Sequence, residues 1–250
     1  MRRSSQKWSI WRCSCKRWVR LLTITSTGLL SSRGSIRSKA PATRLCLTAW
    51  SPPRWVRRRL LPAAHLFVRG AHQGDLLTFL NALRRVGGGF EVQGDGIRFF
   101  RQGPLHSIAL ETTVHPGFMT DWQPPFAVLL TQAEGMSVIH ETVFEDRFVY
   151  ISELQKMGAD IEIYDTCLGG GDCRFGAMGH SHSAVIKGPT ALRGAEISVP
   201  DLRAGFTYLI AAVCAEGRSV IRGVEELDRG YEDIDKSLRE LGAQIERKQD

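Results

Sequence analysis

The first sixty residues contain no aspartate and no glutamate, although they hold fifteen of the 33 lysines and arginines in the chain. The rest of the sequence carries all 26 acidic side chains against eighteen basic ones, a net charge of −8. The overall charge of +7 therefore belongs to the N-terminal segment and does not indicate a nucleic-acid partner for the folded part. The sequence also lacks any stretch near the roughly 20 apolar residues of a membrane span, so we expect no membrane partner.

Residues 1–61 form a separate basic segment in which we find neither helical nor strand periodicity. It holds five of the six tryptophans: Trp8, Trp11, Trp18, Trp50 and Trp55. A targeting peptide and a disordered basic arm are two interpretations. We favour a third, an out-of-frame translation, because GC-rich codons for residues 54–64 can be read in a shifted frame as an Ala-rich helix end with a glycine stop. The folded domain is then expected over residues 62–250.

Cysteine is scarce, with three residues in each of these two segments, and no secretory signal precedes them. We therefore expect a cytoplasmic domain with reduced thiols. Cys167, Cys173, His180 and His182 are near one another in sequence, but five residues separate the cysteines, unlike the usual short zinc motifs. We expect hairpin-loop residues there, with no metal and no other cofactor. Residues 169–171 are expected to form a turn, because no Lys-Ser/Thr pair follows them as in a phosphate loop.

An internal repeat organises the body. Residues 83–91 (LRRVGGGFE), 154–162 (LQKMGADIE) and 238–246 (LRELGAQIE) share one pattern. It predicts a helix end, a glycine in the left-handed conformation and a strand. A second pair, residues 133–139 (AEGMSVI) and 215–221 (AEGRSVI), repeats the same succession. The apolar stretches before this pair predict buried helices.

These repeats predict an α/β domain of about three units, each with two helices and several strands. Three units around a pseudo-threefold axis would place helices at a shared centre and sheets outside. An ordinary α/β sandwich is the alternative, which the paired repeats make less favourable.

Four motifs follow one another in the body: residues 116–123 (PGFMTDWQ), 141–148 (ETVFEDRF), 200–205 (PDLRAG) and 228–232 (DRGYE). In this order they resemble the UDP-N-acetylglucosamine 1-carboxyvinyltransferase family, from about residue 65 to the C-terminus. The resemblance implies an inside-out α/β barrel-like globe of about three βαβαββ repeats, the first incomplete. It also implies transfer of the enolpyruvyl group of phosphoenolpyruvate to the 3-hydroxyl of UDP-N-acetylglucosamine, the first committed step of peptidoglycan synthesis. The sister family that makes 5-enolpyruvylshikimate 3-phosphate shares the fold but lacks the second motif, so it is the alternative.

Asp121 lies at or just before the start of an apolar helix, where a carboxylate can simply cap the helix. The resemblance implies that it binds the sugar hydroxyl and takes its proton, as a general base must. Arg203 occupies the equivalent point of the next repeat, where a cation opposes the helix dipole unless an anion lies between them. The resemblance implies phosphoenolpyruvate as that anion, held by Arg203 and Arg229. A surface ion pair is the alternative role for Arg229.

Three further residues are implied as substrate-binding. The resemblance places the backbone of Val143 against the nucleotide sugar. Arg147 is expected to organise the cleft, or else to pair with Glu141 or Glu145. Asp201 is expected to orient Arg203.

The resemblance also implies two similar globes that face one another across the reacting cleft. In residues 1–64 we find neither the lysine nor the cysteine- and arginine-bearing loop that the N-terminal globe supplies in the family. We therefore predict negligible turnover by this polypeptide alone. A non-catalytic half that binds the nucleotide sugar, or pairs with a separate N-terminal globe, is the second hypothesis. A basic-tailed nucleic-acid binder is a weaker third.

Overall fold

The computed structural model describes residues 6–11, 65–169, 173–175, 178–231, 233–240 and 243–249. The strands are β1 (Gln6–Trp11), β2 (His65–Arg69), β3 (Gly88–Gln93), β4 (Gly96–Arg101), β5 (Ala109–Glu111), β6 (Gly135–His140), β7 (Asp160–Tyr164), β8 (Ser183–Gly188), β9 (Glu196–Ser198), β10 (Ser219–Arg222) and β11 (Gln244–Gln249). The helices are α1 (Gln73–Val86), α2 (Gln123–Leu130), α3 (Ile151–Lys156), α4 (Leu202–Cys214), α5 (Glu225–Asp228) and α6 (Ile234–Glu240). Short 3-10 turns, Thr120–Trp122 and Arg147–Tyr150, precede α2 and α3.

The strands form three separate sheets, with orders β2-β4-β3, β5-β6-β8-β7 and β11-β1-β10-β9. The second and third sheets are built alike, since each has a short parallel edge pair followed by two antiparallel pairings. The predicted α/β globe of about three related units is confirmed, both by this arrangement and by the solved structures that share the fold.

The apolar helices lie at the centre of these units, as the sequence predicted. Every residue of α2 is buried, and α4 packs against it. Helix α1 reaches the same centre through Phe79, whose ring centroid lies 5.5 Å from that of Trp122 and 5.9 Å from that of Phe126. None of the helices in the described ranges is both long and apolar enough to cross a membrane.

The predicted repeat glycines adopt the expected backbone conformation. Gly87 and Gly158 have φ values of 104° and 89°, and the second pair, Gly135 and Gly217, have 100° and 94°. Gly87 also has no room for a side chain, because a Cβ atom there would lie 2.5 Å from the carbonyl oxygen of Pro104. The third member of the first repeat, Gly242, lies outside the described residues.

Strand β1 corrects our reading of the basic segment, in which we found no strand periodicity. Residues 6–11 pair antiparallel with both β10 and β11, with Trp8 opposite Ile221 on one side and Arg247 on the other. In the third sheet β1 thus takes the place that β8 takes in the second. Six residues alternate too briefly for the pattern to stand out, so the pairing was not predictable from β1 alone. The remainder of the segment lies outside the described residues.

Candidate active site

Asp121 lies in the 3-10 turn that leads into α2. The first turn of this helix contains Pro124 and Pro125, which have no backbone N–H to be capped. Accordingly, the carboxylate of Asp121 makes no capping hydrogen bond, and its side chain is 49% exposed. The alternative role of helix cap is therefore wrong for Asp121.

The carboxylate of Asp121 instead pairs with Arg147, whose Nη2 lies 3.0 Å from its Oδ1. The side chain of Arg147 is only 9% exposed. Burial lowers the pKa of Arg147, the charge of Asp121 opposes this effect, and the nearby charge of Arg203 lowers the pKa further. Our alternative partners for Arg147 were wrong, since Glu145 pairs with Arg174 at 2.8 Å and the direct partner of Arg147 is Asp121.

The buried carboxylate of Glu141 accepts hydrogen bonds from residues near both members of this ion pair. Its Oε2 accepts a hydrogen bond from Thr120 Oγ1 at 2.9 Å. Its Oε1 accepts from the backbone N–H groups of Val143 at 2.9 Å and Phe144 at 3.2 Å. Because Glu141 is fully buried, these donors give its charge the hydrogen bonds that burial would otherwise remove.

A second buried contact holds the start of α2. Gln123 Nε2 donates to the hydroxyl oxygen of Tyr150 at 2.9 Å, and both side chains are buried. Burial raises the pKa of Tyr150 well above its usual range, so the phenol stays neutral. Two contacts therefore join the second 3-10 turn to the start of α2 and the turn before it: Gln123–Tyr150 and Asp121–Arg147.

Helix α4 begins differently, with Asp201 as its N-cap. Asp201 Oδ1 accepts hydrogen bonds from the backbone N–H groups of Arg203 at 2.7 Å and Ala204 at 2.9 Å. We expected Asp201 to orient Arg203; the contact described between them is through the backbone N–H of Arg203. The guanidinium of Arg203 lies over the ring of Phe144, 4.9 Å from its centroid.

A pocket of about 280 Å³ lies between these two helix starts. Its lining residues are Pro124, Phe144, Glu145, Asp146, Arg147, Val149, Tyr150, Asp201, Arg203 and Ala204.

The three carboxylates of the lining are already engaged. Glu145 pairs with Arg174, Asp146 lies 3.2 Å from the ring of His180, and Asp201 caps α4. Of the two lining arginines, Arg147 is paired with Asp121, so Arg203, which lies over Phe144, is the guanidinium best placed to bind an anion.

Of the predicted residues, the structure brings Arg147, Asp201 and Arg203 into one pocket, with Asp121 bonded to Arg147 at its edge. Val143 lies beside Phe144 of the lining. Arg229 is not in the lining: its side chain is 70% exposed and pairs with Glu226 at 2.6 Å.

The segment that carries Arg229 is nevertheless packed against the start of α4. A Cβ atom at Gly205 would lie 2.6 Å from Leu227, two residues before Arg229.

Sequence reasoning missed the buried contact of Tyr150 and the stacking of Arg203 on exposed Phe144, and it treated Glu141 only as an ion-pair candidate. For Glu141 a signal existed, because a carboxylate directly after a buried strand must find donors. Tyr150 and Phe144 gave no comparable signal.

Two solved structures that share this fold are an enolpyruvyl transferase and an EPSP synthase. The enolpyruvyl transferase NikO from Streptomyces tendae superposes with a TM-score of 0.65 at 26% identity, covering 84% of this chain and 43% of that one. An EPSP synthase from Acinetobacter baumannii superposes with a TM-score of 0.55 over 75% of this chain and 44% of its own; at 16% identity it supports the fold alone.

The chain belongs to the EPSP synthase (3-phosphoshikimate 1-carboxyvinyltransferase) family, which its residues 67–248 match. Its curated relatives indicate the member of this family that the chain resembles. The UDP-N-acetylglucosamine 1-carboxyvinyltransferase of Protochlamydia amoebophila is 53% identical over 192 residues, 76% of this chain and 41% of its own length. The enzyme of that name from Chlamydia muridarum is 54% identical over 182 residues, 72% of this chain and 41% of its own. The resemblance predicted from the four motifs is confirmed, and the chain spans about 41% of the length of these relatives.

Proposed function

We propose that this chain supplies one wall of the cleft in which the enolpyruvyl group of phosphoenolpyruvate is transferred to the 3-hydroxyl of UDP-N-acetylglucosamine. The observation that carries the proposal is the ion pair between Asp121 and Arg147 at the edge of a pocket that also holds Arg203. A half-exposed carboxylate bonded to a nearly buried guanidinium is held in place, as a base for a sugar hydroxyl must be. The reaction would belong to the cytoplasmic part of peptidoglycan synthesis.

In this proposal Asp121 takes the proton of the 3-hydroxyl while the hydroxyl oxygen bonds to C2 of phosphoenolpyruvate. A proton adds to the C3 methylene in the same step. Loss of phosphate from C2 and of one proton from C3 then restores the alkene. Arg203, with Arg229 turned from Glu226 towards the pocket, binds the anionic donor through paired N–H groups. The N–H of Val143 is already bonded to Glu141, so we assign its sugar contact to the carbonyl oxygen.

The 250-residue chain alone is proposed to turn over negligibly. The groups that protonate the methylene and hold the phosphate belong, by the resemblance, to a second globe absent from residues 65–250. Their loss would remove most of the transition-state stabilisation. Phosphate release measured with both substrates tests this point, and turnover near that of a full-length relative would refute it.

A mixing experiment separates the transferase from a non-catalytic half. The chain is combined with a separately produced N-terminal half of the Protochlamydia amoebophila relative. Phosphate release that requires both halves and disappears with Asp121→Asn would support the transferase. Binding of UDP-N-acetylglucosamine without turnover in the mixture would favour the non-catalytic half, and turnover only with shikimate 3-phosphate as acceptor would favour the sister reaction.

Ligand binding to the chain alone provides a direct test of the pocket. We expect Arg203→Gln to weaken phosphoenolpyruvate binding at least tenfold by calorimetry or NMR titration. The matched control is Arg193→Gln, at an exposed arginine outside the pocket lining. Equal effects of the two substitutions would place the donor elsewhere.

A further inference from the structure

A second cluster of chemically active side chains lies at the C-terminal end of β6, and none of its members lines the pocket. It consists of His140, Cys167, Cys173 and His182, one potential ligand atom of each lying within 4.8 Å of all the others. His140 ends β6, the cysteines belong to the connection between β7 and β8, and His182 directly precedes β8. The antiparallel register, with His140 opposite Ser183, brings the two histidines side by side, with ring centroids 5.5 Å apart.

We propose that these four residues form a structural zinc site of the Cys₂His₂ type. The Nε2 atom of His140 lies 3.3 Å from the Sγ of Cys167 and 3.3 Å from the Sγ of Cys173. Two ligands of a tetrahedral zinc, with Zn–S of about 2.3 Å and Zn–N of about 2.0 Å, lie roughly 3.5 Å apart. These two of the six ligand pairs are thus already near the separation that a shared ion requires, and the remaining pairs lie within 4.8 Å.

The hydrogen bond of His182 leaves Nε2 as the ring nitrogen available to a metal ion. Its Nδ1 lies 2.6 Å from the carbonyl oxygen of His180, so Nδ1 carries the proton and donates it. Its Nε2 then presents a lone pair; this atom is buried and has no hydrogen-bond partner in the protein. A metal ion would provide the partner that such a buried group needs.

His140 also presents its Nε2 to the cluster, although its Nδ1 makes no hydrogen bond within the described residues. Its ring is buried, Nε2 faces the two sulfurs, and Nδ1 lies 3.6 Å from Oε2 of Glu111. A carboxylate behind the second ring nitrogen is the usual means of orienting a histidine on zinc. Gly169 packs against this ring, since a Cβ atom there would lie 1.9 Å from Nδ1 of His140.

The ligand set favours zinc and a structural role. Two thiolates with two imidazoles suit a tetrahedral zinc ion, and four protein ligands leave no open position for substrate. Neither Cys167 nor Cys173 is in a disulfide in the described chain. The ion would take no part in the transfer reaction.

This proposal replaces our expectation that the region binds no metal. The spacing argument treated His180 as a candidate partner of His182, but His180 pairs with Asp146. The fourth member of the cluster is His140, 27 residues before Cys167, and only the pairing of β6 with β8 brings it there. A motif search confined to the hairpin loop could not find it.

The site would fix the β7–β8 connection across the end of β6. Glu141, whose carboxylate bonds to Thr120, Val143 and Phe144, directly follows His140. A zinc ion bound to His140 would therefore also restrain the backbone next to Glu141. The expected effect is stabilisation of the fold next to the candidate active site.

Metal analysis of the full 250-residue chain tests the proposal, with any affinity tag removed and the thiols kept reduced. We expect one Zn²⁺ per chain and a higher melting temperature with zinc than after chelation. Cys167→Ser/Cys173→Ser should lower zinc affinity at least 100-fold in competition with a chromogenic chelator. Cys214→Ser and His180→Gln are the matched controls, at a thiol and an imidazole outside the cluster, and should retain the affinity.

Cobalt substitution reports the geometry independently of stability. The cobalt-loaded wild-type chain should show thiolate-to-cobalt charge-transfer bands and the intense visible bands of tetrahedral cobalt. Cys167→Ser, which replaces the exposed cysteine alone, should weaken the charge-transfer bands. Zinc binding that is unchanged in the double variant would overturn the proposal. So would an octahedral cobalt spectrum, or a Cys167–Cys173 disulfide that forms even when zinc is supplied to the reduced chain.

Discussion

Helices α2 and α4 occupy equivalent places in successive repeats, yet their first turns are stabilised by different means. Helix α4 carries its own cap, Asp201, whose carboxylate accepts two backbone N–H groups. Helix α2 has prolines in its first turn and no side-chain cap, and it is held from outside. The bonds that hold it run from Thr120 to Glu141 and from Gln123 to Tyr150.

This difference determines which charged group each helix start can offer to a ligand. At α4 the carboxylate of Asp201 is used for capping, and Arg203 extends over Phe144 beside the pocket. At α2 no carboxylate is needed for capping, so Asp121 is available for chemistry, paired only to Arg147 among the contacts described. Equivalent positions of a repeat thus carry a base and a cation.

The largest expected effect comes from Glu141→Ala, which removes the external support of α2. Two backbone N–H groups and the Thr120 hydroxyl would lose a charged, buried acceptor. We expect a loss of roughly 3 kcal/mol or more in the free energy of unfolding. Denaturant titration of the zinc-free chain measures it. Glu134→Ala, at an exposed glutamate, is the control, and similar losses for both would show that α2 does not depend on this support.

Tyr150→Phe should cost about 1–3 kcal/mol near neutral pH, because the buried amide of Gln123 loses its acceptor. The loss should shrink in alkaline solution. The pKa of Tyr150 is raised by folding, so the folded state holds the proton and its stability falls once the pH exceeds the unfolded value near 10.

Above that pH the wild type should lose about 1.4 kcal/mol per pH unit relative to the phenylalanine variant. Unfolding curves of both proteins at several pH values provide the measurement. Wild type compared with Tyr164→Phe, at a half-buried tyrosine whose pKa is raised mainly by its hydrogen bond to Glu162, should show a smaller pH-dependent loss. A difference between wild type and Tyr150→Phe that does not change with pH would contradict the argument.

Asp201→Ala should destabilise by about 1 kcal/mol, the usual cost of removing an N-cap. Asp201→Asn should recover most of this loss, because its amide oxygen can still accept from the backbone of Arg203 and Ala204. Thermal or chemical unfolding separates the two variants. If asparagine were as destabilising as alanine, charge rather than capping would be the role of Asp201.

Asp121→Asn should destabilise only modestly, since Asp121 is half exposed and its amide oxygen can still accept from Arg147. In the mixture with an N-terminal half it should abolish phosphate release, because an amide cannot take the hydroxyl proton. Unfolding curves and the phosphate assay together provide the measurement. A stability loss as large as that of Asp201→Ala would mean that Asp121 supports the helix after all.

The contrast between the two helix starts also explains how much could be predicted from the sequence. Asp201 lies two and three residues before the N–H groups it caps, so its bonds are local. The repeat glycines and buried helices were predicted for the same reason. The contacts of Glu141, Tyr150 and His140 depend on which strands and turns meet in space, and no local pattern encodes them.

Strand β1 has a consequence for handling this protein. It is bonded along both sides, so its removal would leave β10 and β11 as two unprotected edges within one sheet. Open edges recruit strands from other molecules. A chain cleaved after Trp11 should retain β1 through its hydrogen bonds to β10 and β11. A chain expressed without residues 6–11 should instead self-associate by pairing these edges between molecules.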